Sequence, residues 1–257
     1  MIVDDGSGPE HEQAIRSAVG KVSNGRLLTQ ANAGPAAARN RGYRAGSGEL
    51  VAFIDDDCAP RADWLVHLIE PFAGAPDLAA VGGRVVSAPP ENWVGRFLAA
   101  VDYATGLQDV FENAATANAC YRRSVLDELG GFDETFKLPG GDDPDLSERT
   151  RRAGYRLEFV PDAIVDHREL ESYGEFVRHM YGRGLGEARL GRKHGRRSRV
   201  ALRAALAPVY LSRMAAGTWR RTFGRGGTGA RVAWTSLQLA GSFAFLAGSV
   251  VGLARER

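Results

Sequence analysis

Three consecutive carboxylates, Asp55-Asp56-Asp57, close an apolar run, Leu50-Val51-Ala52-Phe53-Ile54. The run is too short for a helix and suits a buried strand. Aspartate is disfavoured in strands and neighbouring carboxylates repel one another, so the triplet is tolerable where a cation neutralises it. Open α/β sheets bind ligands beyond the carboxyl ends of their strands. Mg²⁺ and Mn²⁺ in nucleotide sites take one or two carboxylates together with the phosphates of the substrate. The chemistry to expect is divalent-metal binding against a phosphorylated ligand, and the plain alternative is a solvated acidic loop.

Other groups repeat the pattern. Asp4 and Asp5 follow Met1-Ile2-Val3, a second apolar strand that ends in acids. Asp142 and Asp143 follow Gly140-Gly141 and precede Pro144, at the start of a predicted helix that stops at Gly154. Acids at a helix N-terminus are favoured by the helix dipole, and Asp145 is read as no more than that. His167 follows a predicted strand, and a lone histidine there is more often structural.

The elements that would position these groups alternate strand and helix. A helix opens at Pro35 with Ala-rich propensity and stops before the strand at Leu50, giving a βαβ unit. A second helix starts at Pro60, with Trp64, Leu65, Leu68, Ile69 and Phe72 on one face as core. A strand over 78–86, a helix over 92–108 and an extended stretch over 116–121 follow. Ser124 with Asp127 resembles an N-cap arrangement, with Gly130-Gly131 as the stop. Strands are expected over 155–160 and 163–165.

The 257 residues allow one large domain or two small ones, and 44% hydrophobic with 25% charged residues is ordinary for a globular core. Cys58 and Cys120 show neither zinc spacing nor a disulfide framework, so a reducing compartment is the default. The net charge of +2 hides a split: over residues 178–231, 14 Lys and Arg face one acid, Glu187, whereas residues 1–175 carry 17 bases against 29 acids. Such a basic segment suggests an anionic partner surface. Residues 200–216 are apolar on one side with Arg203 and Arg213 on the other. Residues 232–254 carry no formal charge over 23 residues, near the ~20 that span a bilayer. Arg220, Arg221, Arg225 and Arg231 precede them, which suits the cytoplasmic face of the cell membrane, with the chain peripheral or anchored by a single span. A nucleic-acid arm is disfavoured, because the basic segment has mainly Tyr181, Tyr210, Trp219 and Phe223 as aromatics and borders apolar helices.

The order of motifs is more specific than any one of them. Ile2-Val3-Asp4-Asp5-Gly6-Ser7, then Asn32 to Gly42 with Arg39, then Phe53-Ile54-Asp55-Asp56-Asp57, then Ala117-Asn118-Ala119-Cys120-Tyr121 leading to Gly130-Gly131-Phe132-Asp133, then Gly141-Asp142-Asp143-Pro144, and finally Val165-Asp166-His167 strongly resemble the family 2 glycosyltransferases over about residues 1–175. The resemblance implies an α/β fold of the GT-A type, Rossmann-like, with a mostly parallel sheet flanked by helices. Residues 1–175 would form the nucleotide-sugar domain, and 176–257 a basic, helical, membrane-associating extension.

The resemblance also implies roles. Asp143 matches the catalytic base, with Asp142 beside it where the family has Glu. Asp4, Asp5, Arg39, Asp55, Asp56 and Asn118 would contact the nucleotide sugar, Asp5 being the partner of the base ring. Asp57 and Asp55 match the ends of the DxD signature and would hold Mn²⁺ or Mg²⁺, with His167 as a further metal ligand. The expected partners are a nucleotide-diphosphate sugar donor, a hydroxyl acceptor that the basic, apolar C-terminal region hints is lipid-linked, and an anionic membrane surface. The opening at Met1-Ile2-Val3-Asp4-Asp5 also departs from the family pattern, which begins with a further strand and helix. The expectation is either a longer natural protein with a misassigned start or an N-terminally truncated form, with poor solubility and weak or no nucleotide affinity for residues 1–257, and the competing reading is a non-catalytic scaffold.

Overall fold

The protein is seen in a computed structural model that describes residues 1–90, 92–100, 113–138, 140–196 and 228–254. The expected helix over 200–216, the distal part of that over 92–108, and Arg220, Arg221 and Arg225 lie outside the described residues.

The chain begins with a small βαβ unit: β1 (Ile2–Asp4), α1 (Pro9–Gly20) and β2 (Leu27–Thr29). β1 and β2 pair in parallel, Ile2 opposite Leu27 and Asp4 opposite Thr29. The sequence reading missed α1 and β2 and took Leu50 as the partner of this unit. Two three-residue strands and a helix with no buried residue leave little periodic signal. Helix α2 (Pro35–Arg44) follows, its Pro at the first helical position as expected.

The main sheet contains β3 (Leu50–Ile54), β4 (Cys58–Pro60), β5 (Leu78–Ser87), β6 (Asn118–Arg122) and β7 (Arg156–His167), in the order β3-β6-β5-β7-β4. Its helices are α3 (Trp64–Ile69), α4 (Trp93–Ala100), α5 (Arg123–Leu129) and α6 (Asp142–Arg152). Only β5 and β7 run parallel; the β3–β6, β5–β6 and β4–β7 pairs are antiparallel. The sheet is therefore mixed where a mostly parallel one was expected. β6 enters between β3 and β5 in the opposite direction, which pattern alone does not reveal. β5 is the centre of the sheet, and Leu78 to Gly83 are all buried, as an uninterrupted apolar run in a strand covered on both faces should be. Beneath the carboxyl end of β3, Phe53 packs edge-on against Phe132 and Tyr121, with ring centroids 5.3 and 6.3 Å apart.

The expected strands at 155–160 and 163–165 are one, β7, carried through Pro161 and Asp162. The N-cap position of α5 is Arg122, without a side-chain cap, and not Ser124; the helix ends at left-handed Gly130 (φ 75°).

The last two helices among the described residues are α7 (Tyr173–Lys193) and α8 (Thr228–Ala254). α7 starts with a capping box: Glu175 N donates to the Ser172 hydroxyl while Glu175 Oε2 accepts from Ser172 N. The expected division after residue 175 falls in the first turn of α7. The two helices lie close because they meet through glycines: a Cβ on Gly184 would collide with the Phe245 carbonyl, and one on Gly248 with that of Tyr181. Within α8, Val232–Ala254 is long and apolar enough to cross a membrane, with a mean hydropathy of 1.7, though 44% of its most apolar window is buried within the fold. Val94, Phe97 and Leu98 of α4, Phe176 of α7, and Trp234 and Leu237 of α8 share one apolar cluster.

Candidate active site

The turn after β3 separates two groups of ionisable side chains. On one side, Arg39 leaves the second turn of α2 and bridges two acids. Its Nη1 donates to Asp142 Oδ2 at 2.6 Å and its Nη2 to Asp55 Oδ1 at 2.9 Å. The guanidinium also lies 5.9 Å above the ring of Phe132. Burial acts against its charge, but Asp143, Asp55 and Asp142 together outweigh burial and hold it protonated.

Asp142 and Asp143 open α6. Gly140 and Gly141 precede them with φ of 100° and 106°, a conformation open to glycine and strained for other residues. Asp142 is 2% exposed. Burial raises its pKa, with the attraction of Arg39 opposing and Asp55 adding to the rise. Asp143 accepts from the Thr116 hydroxyl at 2.8 Å and from Thr116 N at 3.3 Å. Its carboxyl is pushed up to about 7, first by burial and then by Asp142 and Asp55, against the opposing effects of Arg39 and Thr116. A half-buried carboxylate that titrates near neutrality can accept a proton from a weakly acidic hydroxyl.

On the other side, the antiparallel register of β4 and β7 sets Cys58 opposite His167. His167 Nε2 lies 3.5 Å from Asp57 Oδ2, and Nδ1 lies 3.8 Å from Glu169 Oε2. Asp57 and then Glu169 push the imidazole up to about 10, despite its burial. Two carboxylates around one imidazole create a local demand for positive charge. Ligand atoms of Asp57, Cys58 and His167 all lie within 4.8 Å of one another. Adjacent ligands held at ~2.1 Å from one ion are ~3 Å apart, so the carboxylate and imidazole fit Mn²⁺ or Mg²⁺. Cys58 fits less well: burial, then Asp57 and Asp55, hold its thiol protonated. A cavity of about 580 Å³ opens beside this group, lined by Asp56, Asp57, Glu169 and the loop at Ala88, Pro89 and Pro90.

The structure thus brings Arg39, Asp55, Asp142 and Asp143 together, and separately Asp57 with His167. The other expected residues lie elsewhere. Asp4 accepts from Ser7 N at 2.8 Å in its own turn. Asp5 accepts from Gln30 Nε2, Ala33 N and Gly34 N at 2.7, 2.8 and 2.8 Å, so its carboxylate holds the loop that opens α2. Asn118, expected on the donor, is 1% exposed, and its amide is spent inside the fold. Nδ2 donates to Arg84 O and Ala163 O, and Oδ1 accepts from Trp64 Nε1. Burial of a polar side chain requires such partners, and this one ties three strands and α3 together.

Against known proteins, the glycosyl transferase family 2 model matches residues 1–130, about half of the chain. The chain belongs to glycosyl transferase family 2. The pre-mycofactocin glycosyltransferase of Mycobacterium tuberculosis is 36% identical over 177 residues, 65% of this chain and 37% of that one. The glucosyl-dolichyl phosphate glucuronosyltransferase of Haloferax volcanii is 28% identical over 196 residues, 68% of this chain and 61% of that one. The chain therefore spans less than two thirds of the length of these relatives. A mannosyltransferase from Pyrobaculum calidifontis, solved with GDP-Man and Mn²⁺, superposes with a TM-score of 0.63 at 19% identity, over 99% of this chain and 77% of that one. At that identity the likeness shows the fold, which is GT-A.

Within this family member, sequence reasoning missed three residues. Thr116 holds Asp143, and no motif marks it. Asp145 is no mere helix-start acid: it is fully buried and accepts from Arg149 Nε at 2.8 Å, Lys193 Nζ at 2.9 Å and His194 Nε2 at 2.9 Å. It thereby fastens the end of α7 to α6. Glu169, two residues beyond His167, gave no signal beyond its charge.

Proposed function

We propose that this chain carries the catalytic domain of an inverting, divalent-metal-dependent glycosyltransferase that moves a hexosyl group from a nucleotide-diphosphate sugar to a hydroxyl acceptor. The observation that carries this reading is the pairing of a near-neutral carboxylate, Asp143, with a separate cation-seeking group, Asp57 and His167, on either side of one strand end.

Asp57 and His167 would hold Mn²⁺ or Mg²⁺, and the bound ion would supply the positive charge that neutralises a departing diphosphate. Arg39 fixes Asp142 and Asp55, so the acidic wall of the site needs no reorganisation when substrate arrives. Asp143, oriented by Thr116, takes the proton of the acceptor hydroxyl as the oxygen attacks the anomeric carbon. The C–O bond to the diphosphate breaks as the new one forms, and a single displacement inverts the anomeric configuration.

The acceptor in this reading is lipid-linked and belongs to cell-envelope polysaccharide or glycolipid synthesis, at the cytoplasmic face of the membrane. The apolar α8, the basic residues ahead of it and the relative named for glucosyl-dolichyl phosphate support that reading. Nucleoside diphosphate release from a panel of UDP-, GDP- and dTDP-sugars with Mn²⁺ tests it. Release from one donor that stops with chelator and in Asp57→Ala is the expected result. Release indifferent to both would remove the metal from the mechanism.

A further inference from the structure

Two complementary polar atoms are left facing each other next to the cation-seeking group. His167 Nδ1 and Glu169 Oε2 are both buried and, among the described residues, neither has a hydrogen-bond partner. They are 3.8 Å apart, just beyond hydrogen-bond reach. Buried polar atoms normally have partners, so an orphan donor and an orphan acceptor in register call for an explanation. The Glu169 side chain is only 2% exposed, so in this position bulk water offers it little. Its other oxygen, Oε1, accepts from the Ser87 hydroxyl, which leaves Oε2 aimed at the imidazole. On the far side of the same ring, Nε2 faces Asp57.

We infer that Glu169 is a positioning residue for the metal: its Oε2 accepts the Nδ1–H of His167 and so presents the Nε2 lone pair towards the ion beside Asp57. The inference rests on the metal reading proposed above and deepens it. The physical reason is that a ligating imidazole has two ring nitrogens, and the hydrogen bond made by one fixes which tautomer the other presents. A carboxylate in that place also makes the ligating nitrogen more basic, and removal of such a partner typically costs about 10–100-fold in metal affinity. A movement of under about 1 Å closes the bond, since N–H···O pairs sit near 2.9 Å. Ser87 on β5 and His167 and Glu169 at the end of β7 are held at this spacing by the parallel pairing that sets Ser87 opposite His167. Glu169 is thus anchored by the strand next to the one that carries the ligand.

The test is a Mn²⁺ titration of the full chain, read by the loss of the free-Mn²⁺ electron paramagnetic resonance signal, alone and with UDP or GDP present. Wild type, Glu169→Ala, Glu169→Gln, His167→Ala and the His167→Ala/Glu169→Ala double variant are compared, with thermal unfolding of each metal-free protein. We expect Glu169→Ala to weaken Mn²⁺ binding about 10–100-fold. Glu169→Gln, which keeps an oxygen at Oε1 or Oε2 without the charge, should weaken it less. In the His167→Ala background, removal of Glu169 should change affinity no further, because the residue acts through the imidazole. An anchor that serves only the fold would instead lower the unfolding temperature in both backgrounds and leave Mn²⁺ affinity alone. Equal Mn²⁺ affinity in wild type and Glu169→Gln and Glu169→Ala, or an equal loss with and without His167, overturns the inference while the metal site stands. Absence of Mn²⁺ binding by wild type overturns the metal reading itself.

Discussion

The two acidic groups that flank the β3 turn relieve the same repulsion by different means. In the first, Asp55, Asp142 and Asp143 surround Arg39, a cation that the chain supplies permanently. In the second, Asp57 and Glu169 flank His167, whose charge is conditional. A site with its own fixed cation is complete before any ligand arrives, and what it has left over is a carboxyl, Asp143, that titrates near neutrality. A site whose own cation is conditional remains open to an external one. The comparison separates a proton-accepting half from a metal-accepting half, and the two can be broken independently.

The largest effect should come from Asp143→Asn, which keeps the shape of the proton-accepting half and removes its base. Turnover should fall by about 10²–10⁴-fold, the range for a general base, with Mn²⁺ affinity unchanged. The same variant should be more resistant to heat than wild type at pH 8. A carboxyl raised in the fold from 3.8 to about 7 favours the protonated state, so its contribution to stability is full below 3.8 and is lost as pH rises through 7. Differential scanning fluorimetry at pH 5 and pH 8 would show the gap between the two proteins widen with pH.

Next is Arg39→Ala. It leaves Asp142, only 2% exposed, without its partner, and the loss of one member of a buried ion pair costs about 3 kcal/mol. Urea unfolding should show this, and Mn²⁺ binding to the surviving protein should persist. Loss of Mn²⁺ affinity in this variant would mean that the two halves are one site.

How much of this was legible in the residues differs between the halves. The carboxylates announced themselves, since Asp55, Asp57, Asp142 and Asp143 lie at strand or helix ends that apolar runs and glycines mark. What they touch did not. Nothing adjacent in sequence links Asp142 with Arg39, which are 103 residues apart, or Asp143 with Thr116, 27 apart. Asn118 shows the converse: its motif position suggested a ligand contact, but the β3–β6 register turns its amide onto backbone carbonyls. α7 falls mostly in the stretch expected to be helical, but its start and bounds were not placed although Ser172 and Glu175 spell a capping box; Gly182, Gly184, Gly186 and Gly191 argue against a helix by propensity. Packing overrides that penalty: all four are buried, and at Gly184 and Gly186 a Cβ would collide with neighbouring backbone.

A smaller effect concerns how α7 reaches the proton-accepting half. A Cβ on Gly186 would collide with the Gly140 carbonyl, two residues ahead of Asp142. Gly186→Ala should cost about 1–3 kcal/mol by overpacking. It should lower turnover more than Mn²⁺ affinity, and steady-state kinetics beside the Mn²⁺ titration would tell the two apart. The smallest effect is expected from Arg61→Ala. Arg61 makes a bidentate pair with Asp166, with donor–acceptor distances of 2.9 and 2.7 Å, but both side chains are substantially exposed. Solvent screens such exposed pairs, so they contribute little to stability. A large loss of Mn²⁺ affinity here would show that the metal-accepting half depends on a fixed cation after all.

The most direct measurement is the pH dependence of kcat/KM for Mn²⁺-supported transfer by the wild-type chain, once a donor and acceptor are in hand. The account predicts an acid limb with an apparent pKa near 7 that is absent from the residual activity of Asp143→Asn, because the free enzyme must lose the Asp143 proton before it can accept one. A rate that stays level from pH 5.5 to 8.5, or an acid limb unchanged in Asp143→Asn, would contradict it.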